Sequence, residues 1–305
     1  HSRLVSAASS HLEDRVMIDP RKAGLAGAAL IALATLAGCG GGPAKDAGDA
    51  FANALVCTLR ACTESTALRV DEISLRFSAE QVDASPTVTV SGYLSRSANV
   101  FTTVLINGNE RLDAAADGSA DTRMVNPDGQ RLDYTASFPV RSAQPRARVS
   151  FSRDGVSHVS EVVLPPAFTL QSPAGTPLLA RSAGNLLVTL APGAAAQNAS
   201  LLANGSCTRN DSTRFDVKNE SLAPRAEPAA AGSYRVDALN LDQQLNAASQ
   251  RANNNNLNTP LIARCELTLQ WSTRTDGTIA TTLNRYSAFS GYRRITHALV
   301  YDAKL

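Results

Sequence analysis

The sequence predicts an all-β protein built as two antiparallel β-sandwich domains, and three observations predict it. From residue 68 onward, short runs rich in Val, Thr, Ile, Phe and Tyr alternate apolar and polar residues, the period of half-buried strands. Between the runs stand Asn107-Gly108, Asp117-Gly118, Asp128-Gly129 and Asp154-Gly155, residues that tolerate the positive φ angles of tight hairpins. Pro165-Pro166 then divides the runs into two halves, because a proline pair ends a strand and stiffens a linker. A chain of 305 residues with 44% apolar content is long enough for two folded domains.

Taken in order, residues 1–16 show no sustained apolar period and read as an upstream extension of the chain that starts at Met17. Residues 17–38, "MIDPRKAGLAGAALIALATLAG", have a short basic region at Arg21-Lys22 followed by a stretch of small and apolar residues. That is the layout of a secretory signal peptide, and the stretch is shorter than the roughly 18 residues of a membrane span. The four residues Leu36-Ala37-Gly38-Cys39 resemble the lipobox of bacterial lipoproteins at every position. The resemblance covers residues 17–39 alone. It implies diacylglyceryl (palmitate-type) modification of the Cys39 thiol, cleavage before Cys39, and attachment to a membrane of the bacterial cell envelope. With Gly40 following the cysteine, it implies the outer membrane. Two or three acyl chains hold a protein firmly where one holds it marginally.

Residues 39–65 read as a lipidated tether. Within it, Phe51, Leu55 and Leu59 have helical spacing, whereas a Cys57–Cys62 bond would demand a loop, since positions five apart do not face each other on a helix. The first domain, 66–166, contains six alternating runs, and "RARVSFSRDGVSHVSEVVLP" is the clearest hairpin. Six short strands in about a hundred residues resemble an immunoglobulin-like sandwich in architecture only, because the Cys…Trp…Cys spacing of true immunoglobulin domains is missing. The second domain, 167–305, resumes the pattern, with Asn204-Gly205 and Asp276-Gly277 as further hairpin signals. Cys265, Leu267, Leu269 and Trp271 share one face of a strand, which places the single tryptophan in the core; carbohydrate stacking is its alternative role. Ala238, Leu241, Leu245 and Ala248 recur at helical spacing, so 238–251 is expected to be a helix that ends at "NNNN".

With Cys39 lipidated, Cys57, Cys62, Cys207 and Cys265 remain, an even number suited to an oxidising compartment. The preferred pairing is Cys57 with Cys62 and Cys207 with Cys265. A four-cysteine zinc site lacks a second half matching the C-x4-C spacing.

The chain carries 29 Lys+Arg against 27 Asp+Glu, and removal of the signal peptide leaves it near neutral, so no nucleic-acid footprint exists. No zinc-hydrolase His motif, nucleophile elbow, P-loop or dinucleotide fingerprint occurs, and no cofactor is implied. His158 and His297 fall in strand-like runs. The sequons at Asn198, Asn204, Asn210 and Asn219 read as polar loop composition in a bacterial protein. The aspartates Asp113, Asp117, Asp121 and Asp128 fit either solvated turns or a calcium site, although their spacing matches no EF-hand. The resulting expectation is a membrane-anchored envelope lipoprotein, a binding or structural module that presents its β-sandwich domains, with an envelope protein or cell-wall glycan as the partner in the binding case. Its alternatives are a glycan hydrolase using scattered carboxylates (Asp117, Asp128, Glu161) and a surface adhesin.

Overall fold

A computed structural model describes residues 61–97, 99–125 and 133–305. The expected Phe51–Leu59 helix, Cys39, Cys57 and Asp128 lie outside these residues. The described chain is mostly β, with strands in three sheets and one α-helix.

The largest sheet has ten strands. Its main path uses β1 (Ala61–Glu64), β2 (Ile73–Val82), β3 (Thr87–Arg96), β4 (Asn99–Leu105), β13 (Ser200–Arg209), β14 (Arg214–Leu222), β17 (Ile262–Asp276) and β18 (Ala288–Asp302), in the order β1-β4-β3-β2-β18-β17-β13-β14. β7 (Tyr134–Pro139) adds to β3, and β11 (Leu178–Ala180) adds to β18. A second sheet orders β5 (Arg111–Ala116), β6 (Thr122–Arg123), β8 (Arg146–Arg153) and β9 (Val156–Val163) as β6-β5-β8-β9. A third orders β10 (Thr169–Ser172), β12 (Asn185–Ala191), β15 (Arg225–Ala226) and β16 (Ser233–Asp237) as β10-β12-β16-β15. The helix α1 covers Ala238–Ala252.

Two cores follow from this layout. Ile73, Leu75, Phe77, Val88, Val90 and Leu94 of the large sheet meet Leu112, Val149, Phe151 and Val162 of the second sheet. Leu201, Cys207, Leu269, Trp271 and Tyr301 meet Val188, Leu190, Tyr234 and Val236 of the third sheet, with Leu241 and Leu245 of α1. The cores change over at Pro165-Pro166, and β18 serves both: Phe289 belongs to the first and Leu299 and Tyr301 to the second. At the crossing, the buried Arg293 donates from Nε to the Pro165 carbonyl (3.0 Å) and from Nη2 to the Ala143 carbonyl (2.7 Å).

Most pairings are antiparallel. The exceptions are β1–β4, β11–β18 and β2–β18, all parallel. β2 and β18 are separated by more than two hundred residues, so the intervening chain serves as the long crossover that parallel neighbours need. The 61–64 end of the expected tether is part of the sheet, and Ser65 is fully buried with its hydroxyl donating to Glu110.

Local signals explain several elements. Arg153 pairs directly with Val156 across Asp154 (φ 50°) and Gly155 (φ 76°), the two-residue hairpin expected of that dipeptide. Asp237 caps α1 by accepting the Asn240 N–H at 2.8 Å, and the helix ends at Asn253, the first of the four asparagines. The Asn204-Gly205 signal is corrected: both residues lie inside β13, where the register shifts between Ala203 and Gly205. Glycine is needed there for close approach, since a Cβ at 205 would lie 2.1 Å from the Glu266 carbonyl oxygen. Asp276-Gly277 is likewise no two-residue hairpin; it begins an eleven-residue connection from β17 to β18, part of which runs along β9 through reciprocal Glu161–Thr278 backbone bonds.

Candidate functional site

The pleat of the large sheet sends alternate side chains to opposite sides. Phe77, Phe289 and Trp271 go inward to the cores. On the other side, neighbouring strands bring Arg76 and Ser78 of β2, Ser91 and Tyr93 of β3, Ser290 and Tyr292 of β18, and Arg274 of β17 around one basin of about 480 Å³. Register fixes the arrangement: Arg76 faces Tyr93, Ser78 faces both Ser91 and Ser290, and Tyr292 faces Arg274. Asp133 also lines the basin.

The charges around the basin differ in how they are engaged. Arg274 is held by Asp276, with Nε at 2.8 Å and Nη2 at 2.6 Å from the same carboxylate oxygen. Arg294 lies 5.1 Å above the Tyr292 ring and pairs with Glu80 at 3.1 Å. Burial holds the Glu80 carboxyl above its ordinary value, with the Arg294 charge opposing that rise. Arg76 has no side-chain partner among the described residues, and its Nε is shielded from solvent while unsatisfied. A guanidinium Nε left without an acceptor loses solvation with nothing in return, so an incoming acceptor has a ready gain there.

The carboxylates singled out in the sequence are employed elsewhere. Asp113 is buried and receives Arg111 at 3.0 Å. Asp121 receives a bidentate Arg148, at 3.0 and 2.8 Å. Asp117 accepts from the Ser142 hydroxyl (2.6 Å) and the Arg141 backbone N–H. These three carboxylates thus face arginine, hydroxyl or backbone donors, and Asp128, the fourth residue of the expected calcium set, lies outside the described residues.

Asp117 and Glu161 do line one depression of about 320 Å³, with Arg146 and Arg148. Arg146 takes Glu161 at 3.2 Å. Slight burial pulls the Asp117 pKa upward, but the hydrogen bonds from Ser142 and Arg141 outweigh it and leave the group below its ordinary value. A glycosidase acid needs the reverse, a carboxyl whose pKa is raised so that it still carries its proton.

Trp271 is fully buried against Tyr234, with ring centroids 5.0 Å apart, so its carbohydrate-stacking alternative is corrected to a core role. Cys207 and Cys265 form a disulfide between directly paired positions of β13 and β17. Cys62 is also disulfide-bonded. His158 shares a hydrogen bond with Thr282 Oγ1 at 2.7 Å and stacks on Phe151. His297 is buried, and neither ring nitrogen has a hydrogen-bond partner among the described residues. Both histidines are held below their ordinary pKa, by burial and, for His158, also by the Arg153 charge.

The basin residues carry no motif. Arg76 and Tyr93 occupy ordinary alternating positions, and what joins them to Tyr292 is the β2–β18 pairing across more than two hundred residues. A visible signal was the clustering of Tyr and Arg on the polar phase of strands whose other phase is apolar.

No protein-family model matches the chain, and no curated protein matches it. Among solved structures it is matched to a chimeric titin Z1Z2 functionalized with a KLER exogenous peptide from decorin. The two are 9% identical, and the match covers 75% of this chain and 95% of that one, with a TM-score of 0.20. The all-β architecture rests on this chain's own strands.

Proposed function

We propose that this protein is a lipid-anchored binding module of the bacterial cell envelope, tethered through Cys39 in the outer membrane and recognising its partner on the polar face of its large sheet. The observation that carries the binding reading is the basin itself. An arginine with no partner among the described residues, two tyrosines and the hydroxyls of Ser78 and Ser91 converge there from strands whose opposite faces form the cores. Such a surface is built for recognition, with aromatic area and directional donors on rigid strands. The lipobox resemblance supports the anchor, and the small residues before Cys39 with glycines after it suit cleavage and a free lipidated end. The glycan-hydrolase alternative is disfavoured because Asp117 is held ionised and Glu161 is tied to Arg146.

The test is covalent crosslinking in intact cells, comparing the wild type with Cys39→Ser, followed by mass spectrometry. The reading expects an N-terminal peptide that begins at Cys39 and carries acyl mass, and capture of an envelope component that is lost with the anchor. An unmodified Cys39 peptide in the mature protein overturns the anchor. Identical capture by Cys39→Ser overturns the dependence of binding on membrane placement.

A further inference from the structure

We infer that the basin takes an acidic saccharide, a sugar bearing a carboxylate. This deepens the binding reading above and rests on it, but its test does not involve the anchor. Three features select this chemistry together. The Arg76 guanidinium lacks any acceptor among the described residues, and its buried Nε points to an anionic or strongly accepting group as the missing partner. Tyr93 and Tyr292 flank it from the strands on either side of β2; Tyr93 supplies an aromatic face for the C–H face of a pyranose ring, and Tyr292, with Arg294 over one face of its ring, adds what that contact leaves open. Ser78 and Ser91, paired across β2 and β3, offer hydroxyls with no side-chain partner among the described residues, and Asp133 on the wall can accept from ring hydroxyls.

The alternatives fit less well. A peptide strand would add to a sheet edge, whereas the basin lies over β3, β2, β18 and β17, which pair with one another inside the sheet. A bare phosphate or acetate would use Arg76 and leave the tyrosines and serines without a role. A neutral sugar would meet the Nε only through a hydroxyl oxygen, a weaker acceptor than a carboxylate. The cavity, about 480 Å³, falls within the range of small-molecule sites. Arg274 is in an ion pair with Asp276 and Arg294 in one with Glu80, so among the described residues Arg76 is the lining cation without an acidic partner, and a carboxylate matches it.

The experiment is calorimetric titration of the full purified chain in detergent with a trisaccharide of uronic acid. The same trisaccharide with its carboxyls reduced to alcohols is the comparison. The uronate should bind about tenfold or more tightly than its reduced form, the scale of one charge-assisted hydrogen bond. Arg76→Gln should erase that preference without lowering the melting temperature. Tyr93→Ala and Tyr292→Ala should weaken both sugars alike, and they provide the readout if Arg76→Gln does not fold. Equal binding of the acidic and reduced sugars, or an unchanged preference in Arg76→Gln, overturns the inference. So does absence of binding to both sugars, or displacement of the uronate by acetate or inorganic phosphate at equal concentration, which would make the basin a simple anion site. An anchor that fails by mass spectrometry while the uronate binds would separate the two proposals.

Discussion

The two faces of the large sheet are made from the same strands and do opposite things. Along β17, Cys265, Leu267, Leu269 and Trp271 point into the second core and are almost wholly buried, while Arg264, Glu266, Thr268 and Arg274 alternate with them on the open side. Along β18, Phe289, Ile295, Leu299 and Tyr301 are core residues, and Tyr292 stands between them facing the basin. The difference teaches that the residues that hold the fold and those left open to solvent are separable here by parity of position. Burial of the inner phase stabilises the sheet, and the outer phase is then free to carry charge and aromatic surface at little cost to stability.

The comparison can be broken most sharply at Trp271. Trp271→Ala opens a cavity in a fully buried site and should cost about 3–5 kcal/mol, measured by denaturant unfolding. A loss below about 1 kcal/mol would mean that the inner phase does not hold the fold. Next in size is the disulfide: Cys265→Ser with Cys207→Ser frees a chain separation of 58 residues and should cost about 2–5 kcal/mol under oxidising conditions. Under strong reductant the wild type should fall towards the double variant.

Gly205→Ala probes the bulge in β13. With φ at 145° and the Glu266 carbonyl in the way of a Cβ, the strand must shift, and a loss of about 1–3 kcal/mol is expected by thermal unfolding. A smaller effect comes from His297. Its folded pKa is lowered by burial, so as pH falls through the ordinary imidazole value of 6.5 the unfolded chain takes up a proton that the folded chain refuses. This histidine's contribution to stability is therefore present above that pH and is lost below it, down towards its lower folded pKa. His297→Leu should flatten the fall between pH 7 and 5, leaving a residue of slope from His158, whose pKa is lowered in the same direction. An unchanged slope would contradict the burial account. Smallest of all, Arg274→Ala on the open face should move stability by no more than about 0.5 kcal/mol, because its ion pair with Asp276 is largely solvated.

Much of this architecture was legible in the sequence, and the omissions have physical reasons. β3, β8, β9 and β17 announced themselves because one face of each is buried and the other is not, so alternation survived. β5 did not: "RLDAAA" is buried at five successive positions and rich in alanine, a poor strand former, so it read as part of an acidic loop. β14 was hidden by the irregularity at Asn219 (φ 50°), which moves its buried phase from Phe215 and Val217 to Leu222. α1 was legible because a single apolar stripe at helical spacing meets the core. The basin was not, since no local pattern tells β2 that its neighbour is β18. Residue chemistry was visible at every site position, and proximity at none.

The measurement that tests the central claim most directly is site-specific photo-crosslinking in intact cells, with a photoreactive side chain placed at Tyr93 on the open face or at Leu187, which is 53% exposed on the third sheet. The account predicts a discrete adduct from position 93, diminished by Arg76→Gln, and none from position 187. An adduct from 187 with none from 93 would contradict it and move recognition away from the large sheet.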